Sequence, residues 1–198
     1  MGTTERLTLY FAPGASSMAP HIALREIGVP FESKPLSFHR KEHRAPGYLA
    51  INPEGKVPTL LIDGRPLTEV AAILFYLAKR FPEAKLLADR GIEAEARAIS
   101  WMSFLASTIH PARREGMERA KTVFALAEER LGHRPWALGE YSIVDIHLFR
   151  LYWRLAFSYE IVLQLLPRLS AHYDRMMARP AVRKTIEIEE AIGYQLPR

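Results

Sequence analysis

Hydrophobic and polar positions change period once along the chain, near residue 90. Before that point, short apolar runs alternate with amphipathic helices. Leu7-Thr8-Leu9-Tyr10-Phe11 has the alternation of a strand, and Ala12-Pro13-Gly14-Ala15 the composition of a loop. Ser16 and Ser17 precede Met18–Ile27, where serine at the cap and proline in the first turn mark a helix start. Gly28 marks its end. Phe31 to Leu36 predicts a second strand, so the opening elements form a βαβ unit with parallel strands. Residues 37–52 read as irregular, with a short helix around Pro46–Leu49. Leu60-Leu61-Ile62 and the Asp63-Gly64 turn pair predict a hairpin over 57–68. A helix from Glu69 to Arg80 follows, with Ile73, Leu74 and Leu77 on one face.

After residue 90 the period is helical throughout and no strand signal appears. Ile92 to Ile109 predicts a helix halted at Pro111, and Glu115 to Leu131 a second closed by Gly132. Ser142-Ile143-Val144-Asp145 opens a third. The Ser142 hydroxyl would accept from the Asp145 amide while the carboxylate reaches back, a short-armed capping box. That helix is nearly apolar all round and should run through the centre of a bundle. Trp101, Phe104, Tyr152, Trp153 and Phe157 read as core. Pro167 and Pro180 mark further helix starts. The fold class is therefore α/β + all-α: an α/β domain over residues 1–82, a linker over 83–90 and an all-helical domain over 91–198.

The 198 residues, 48% hydrophobic, are enough for one large domain or two small ones. No apolar run reaches about 18 residues, and Met1–Arg6 lacks the apolar core of a secretory signal, so neither a membrane span nor export is expected. The absence of cysteine excludes disulfides, thiolate metal sites and cysteine nucleophiles. The expected location is cytoplasmic. The net charge of +5 is spread over both halves, and without a basic stripe no nucleic-acid partner is expected. Lys34, His39, Arg40, Lys41, His43 and Arg44 form one local cluster, either a solvated loop or a collar for a small anion. The seven histidines show no ligand spacing, so no metal is expected.

Candidate chemistry gathers in Gly55–Glu69. A Val-Pro bond is cis at modest cost, and a cis Val57–Pro58 bond would turn the Val57 N–H and C=O toward an extended peptide. Glu69 sits at a helix start, where a carboxylate is favoured. A backbone edge beside a fixed anion suits a short peptide with a free amine.

Five segments carry a family resemblance. Pro13–Glu26, Leu49–Leu60, Leu67–Ala78, Trp101–His110 and Ser142–Asp145 together resemble the cytosolic glutathione transferases, and most closely their bacterial beta class. The resemblance spans most of residues 7–185. It implies a thioredoxin-like first domain that binds glutathione as co-substrate, a helical second domain that holds a hydrophobic electrophile, and a homodimer. It also implies that Val57 pairs with the cysteinyl part, that Lys56 lies beside the peptide, and that Glu69 with the Val70 amide holds the γ-glutamyl end. Pro58 would be the cis-proline at the ligand edge, where the residues alone also allow a plain strand-start proline, and His110 is either a polar group lining the site or a helix C-terminal histidine stabilised by the dipole.

The chain departs from the family pattern at four places. Ser16 stands where the beta class usually has cysteine, Phe11 replaces a strand-end tyrosine, Val70 replaces serine or glycine, and the stretch from His110 to Ser142 is short. Conjugation requires a thiolate. A hydroxyl donor at a helix N-terminus stabilises one, and Ser16 or Ser17 is placed to do so. Either serine could instead serve only as an N-cap. The alternatives are a non-catalytic glutathione- or partner-binding protein and a glutathione-dependent peroxidase.

Overall fold

The computed structural model describes residues 5–87, 90–158 and 165–196. Strand β1 (Leu7–Phe11) is followed by α1 (Met18–Ile27), β2 (Glu32–Pro35), the short α2 (Pro46–Leu49), β3 (Thr59–Ile62), β4 (Arg65–Thr68) and α3 (Val70–Arg80). The four strands form one sheet in the order β2-β1-β3-β4. β1 and β2 are parallel, with Leu9 opposite Ser33; β3 is antiparallel to β1, with Leu60 opposite Leu9, and β4 to β3, with Leu67 opposite Leu60. Leu7, Leu9 and Leu60 turn inward and meet Ile22 and Leu24 of α1 and Ile73, Leu74 and Leu77 of α3, all buried.

The helical part comprises α4 (Ile92–Phe104), α5 (His110–Ala112), α6 (Met117–Leu131), α7 (Ile143–Ser158), α8 (Pro167–Met177) and α9 (Pro180–Ile192). Every residue of α7 from Ile143 to Leu155 is buried, as its composition predicts. The α1 helix packs against both α7 and α9, so one continuous apolar core runs through both parts of the chain. Of the expected linker, residues 83–87 and 90 are described; a 3₁₀ turn spans Pro82–Ala84. The expectations for Met1–Thr4 at the N-terminus, for Ala88 and Asp89 in the linker, and for residues 159–164 and 197–198 of the helical domain lie outside the described residues.

Four expectations shift at this level. Pro111 does not halt the chain's winding. A π turn at Leu105–Ile109 loosens the ladder, and Pro111 falls in the first turn of α5, where its missing N–H is not needed. Glu69 lies outside α3, because its φ of 68° is incompatible with helix. The Asp145 carboxylate reaches back to the Ser142 amide (2.9 Å) and hydroxyl (3.0 Å), but the hydroxyl accepts from Val144, at 3.3 Å. Phe157 is 57% exposed rather than core, because the last turn of α7 emerges from the bundle; it stacks on Trp153.

Candidate functional site

A cleft of about 880 Å³ opens where the ends of β1 and β3 meet the helical part. Ser16, Lys56, Val57 and Pro58 line one side, with Glu69 and Val70 beside them. His110 faces them from the helical side. Ser17 is not among the lining residues.

The two serines, adjacent in sequence, have different surroundings. The Ser17 side chain is fully buried. Its Oγ accepts the Ala12 N–H at 3.1 Å and donates to the Ala12 carbonyl at 3.2 Å, closing the β1–α1 loop on itself. It occupies the N-cap position of α1 but makes no capping bond. Ser16 faces the cleft, and its hydroxyl donates to the Val57 carbonyl at 3.1 Å.

The loop that presents Ser16 is held from behind by the helical part. Glu189 of α9 accepts the Gly14 N–H at 2.7 Å, and its other oxygen meets His21 Nδ1 at 2.8 Å. Arg25 faces Nε2 of the same ring at 3.2 Å. A cationic donor there makes Nε2 the acceptor, so the ring proton sits on Nδ1 and is donated to Glu189. Arg150 of α7 donates to the Gly14 and Ala15 carbonyls, each at 3.0 Å.

The Val57–Pro58 bond is cis. The turn around it is braced by α2 and the residues after it. Tyr48 donates to the Lys56 carbonyl at 2.5 Å and meets Thr59 Oγ1 at 2.8 Å. Asn52 Nδ2 donates to the same two atoms at 2.9 and 3.1 Å. Gly55 has a φ of +60°, and a Cβ there would approach the His43 carbonyl to 2.7 Å, so only glycine fits. Among the described residues, the Val57 N–H has no backbone partner. Lys56 pairs with Glu54 at 2.7 Å, and that hydrogen bond raises its pKa. Glu69, held at positive φ, presents an exposed carboxylate to the cleft.

The helical wall is basic. His110, Arg113 and Arg114 follow one another around α5 and the turn after it; His147, Arg150 and Arg154 lie on one stripe of α7. Burial, reinforced by Arg150, pushes the His110 pKa down to about 4. Burial, with His110 and Arg150 nearby, pushes His147 to about 3. Among the described residues neither His147 ring nitrogen has a hydrogen-bond partner, although the residue is 1% exposed. Burial and then Arg154 lower the Arg150 pKa, but a guanidinium stays charged at neutral pH. Of the basic cluster in residues 34–44, His39, His43 and Arg44 reach the cleft, whereas Lys34 and Arg40 pair with Glu32 and Glu42.

Sequence reasoning passed over Arg150, His147, Arg154 and Glu189. A signal was present for three of them: spacings of three and four residues between a histidine and two arginines on an otherwise apolar helix. Glu189 carried none, because its partners Gly14 and His21 lie far away in sequence.

Residues 5–79 match the family model of the glutathione S-transferase N-terminal domain, and residues 94–180 that of the C-terminal domain. The chain is 33% identical to the glutathione S-transferase GstA of Escherichia coli O157:H7, covering 92% of this chain and 98% of that one. The glutathione S-transferase structure from Xylella fastidiosa superposes with a TM-score of 0.84 at 32% identity, covering 93% of this chain and 98% of that one. A sphingomonad glutathione S-transferase complexed with glutathione gives 0.84 at 34% identity, covering 92% and 98%. With both halves matched and a third of its residues shared across nearly its full length, this chain belongs to the glutathione S-transferase family.

Proposed function

We propose that the protein is a glutathione transferase that binds glutathione in this cleft and activates its thiol at Ser16. Residues 1–82 form the glutathione-binding domain, and residues 91–198 hold the electrophile. The observation that carries the reading is the Ser16 hydroxyl resting on the Val57 carbonyl at 3.1 Å, on the same cleft as Glu69. The Val57 N–H and C=O would take the cysteinyl backbone. As the cysteinyl N–H replaces the serine at that carbonyl, the hydroxyl is released to donate to the sulfur. Glu69 and the Val70 amide would hold the γ-glutamyl ammonium and carboxylate, with Lys56 beside the peptide. His110 lies across the cleft and would stay neutral near pH 7, because its pKa is about 4.

The energetics are sufficient. A free thiol titrates near pH 8.5, and lowering that by about two units takes about 2.7 kcal/mol. A charge-assisted hydrogen bond contributes about 1.5–3 kcal/mol and the α1 N-terminus about 0.3–1 kcal/mol. The sulfur then attacks an electrophilic carbon as its leaving group departs, and the thiol proton passes to solvent.

Ultraviolet absorbance of the bound thiolate, followed against pH, tests the reading. A bound thiol titrating one or more units below free glutathione is expected; an unshifted pKa removes the activation step. A second reading, binding without turnover, is favoured by Val70, which brings no side-chain hydroxyl to the peptide. Tight glutathione binding with no conjugation of aryl halides or epoxides would select it. A homodimer in the cytoplasm, where reduced glutathione is the thiol pool, completes the proposal. Ile92 and Ile99 of α4, 84% and 52% exposed, offer it apolar surface. Light scattering that gives one-chain mass at all concentrations would remove the dimer.

A further inference from the structure

We infer that Gln195 and Leu196, in the segment that follows α9, set the size of electrophile the cleft accepts: Leu196 is an apolar wall beside the loop that carries Ser16, and Gln195 holds that wall in place. This rests on the glutathione transferase reading of the same cleft.

Both residues line the cleft, and both are half-buried. Leu196 packs against a small apolar cluster of Ala12, Ala15, Tyr48 and Val57. Ala15 precedes Ser16, and Val57 carries the carbonyl that accepts the Ser16 hydroxyl. The segment also lies directly on Gly14. A Cβ built there would meet Leu196 Cδ1 at 2.6 Å and Tyr194 Cδ1 at 3.0 Å. The loop that Glu189 and Arg150 clamp from behind is thus covered by this segment as well.

The segment is tied to two separate parts of the fold. The Tyr194 ring packs on Trp153 and Phe157 of α7, with centroids 5.3 and 5.8 Å away. Gln195 reaches the loop after β2, where its Oε1 accepts the Ser37 hydroxyl at 2.8 Å and the His39 N–H at 3.0 Å. Ordering half-exposed residues costs conformational entropy, and these contacts offset it. A segment held on both sides cannot swing aside without breaking them, so Leu196 presents a fixed apolar surface. Such a surface discriminates by shape. A body that fits against it gains burial, and one that is too large must displace it.

The test compares two electrophiles with the same reacting carbon and different bulk, benzyl chloride and chloromethylnaphthalene. In turnover the glutathione sulfur bonds to the benzylic carbon, and chloride leaves with the electron pair of the carbon–chlorine bond. Each kcat/KM is divided by the uncatalysed rate. The parent is expected to favour benzyl chloride about tenfold. Leu196→Ala should cut that preference about tenfold, and Leu196→Trp should raise it about tenfold. Gln195→Ala should cut it about threefold by loosening the hold, whereas Gln195→Glu, which keeps an acceptor oxygen, should retain the parent's ratio. A preference unmoved by both Leu196 substitutions, or moved the same way by both, would overturn the inference; the second pattern is what a merely stabilising segment gives. Calorimetric affinities of S-benzylglutathione and S-naphthylmethylglutathione read the same ratio without turnover. A lowered thiol pKa with unmoved ratios overturns this inference alone. Affinity ratios that move as expected, with neither chloride conjugated, overturn the conjugation reading instead, and a protein that binds neither conjugate overturns both.

Discussion

Ser16 and Ser17 have the same chemistry and opposite environments, so truncating each should separate function from stability. Ser16 makes one bond, to a carbonyl that faces the cleft. Ser16→Ala should therefore leave stability within about 1 kcal/mol of the parent, since a single part-exposed hydrogen bond contributes no more than that. Its conjugation rate should fall about tenfold to a hundredfold, the loss of one charge-assisted bond to sulfur. Ser17 satisfies both the N–H and the C=O of Ala12 inside the core. Ser17→Ala strands the N–H, while the carbonyl still accepts from the Ala15 amide at 3.0 Å, and should lower unfolding free energy by roughly 1–3 kcal/mol in urea titration. Its glutathione chemistry should change only as far as the loop moves. Unaltered turnover in Ser16→Ala would take the activating role away from that residue, and a fully stable Ser17→Ala would deny the bracing role of its neighbour.

At the scale of elements, local features were legible in the sequence and distant pairings were not. The Asp63-Gly64 hairpin, the helices opening at Pro167 and Pro180, and the reach of Asp145 back to Ser142 all depend on neighbours within a few residues. Their physics is written in consecutive letters. The Val57–Pro58 edge and Glu69 were legible for the same reason. The clamp on the β1–α1 loop was not, because Gly14 meets Glu189 only after the whole helical part has folded over α1. The stripe on α7 was hidden differently: a histidine and two arginines among apolar residues do not spoil the pattern of a buried helix, and burial alone does not say which face meets a cleft. The clamp also makes a prediction. Glu189→Ala leaves the Gly14 amide and the His21 ring N–H without their acceptor in the core, a loss of about 2–5 kcal/mol at about 1–3 kcal/mol for each stranded buried donor. Hydrogen exchange should quicken at the amides of residues 12–17 before the rest of the sheet. A loop that stays protected would show that α9 merely lies against it.

For the molecule as a whole, charge is arranged in space in a way the chain order conceals. The excess of +5 is spread along the sequence, yet the fold gathers His110, Arg113, Arg114, His147, Arg150 and Arg154 onto one wall. That concentration sets how stability responds to acid. His110 and His147 are held near pKa 4 and 3, against 6.5 for a free imidazole, by burial first and by the neighbouring Arg150. Above pH 6.5 both states are neutral at these rings, and nothing is lost. Below it the unfolded chain takes up protons that the folded chain refuses, so stability falls as pH drops from 6.5 toward those lowered values. Each histidine contributes about 1.4 kcal/mol per pH unit inside that window. Carboxylates protonate at the lower end as well, so the informative quantity is the difference between the parent and His147→Phe in urea midpoints between about pH 7.5 and 5. The variant should match or exceed the parent at the upper end, having lost two unpartnered ring nitrogens, and should decline less steeply toward the lower end. Identical slopes in parent and variant would mean that His147 already has a proton or a partner in the fold.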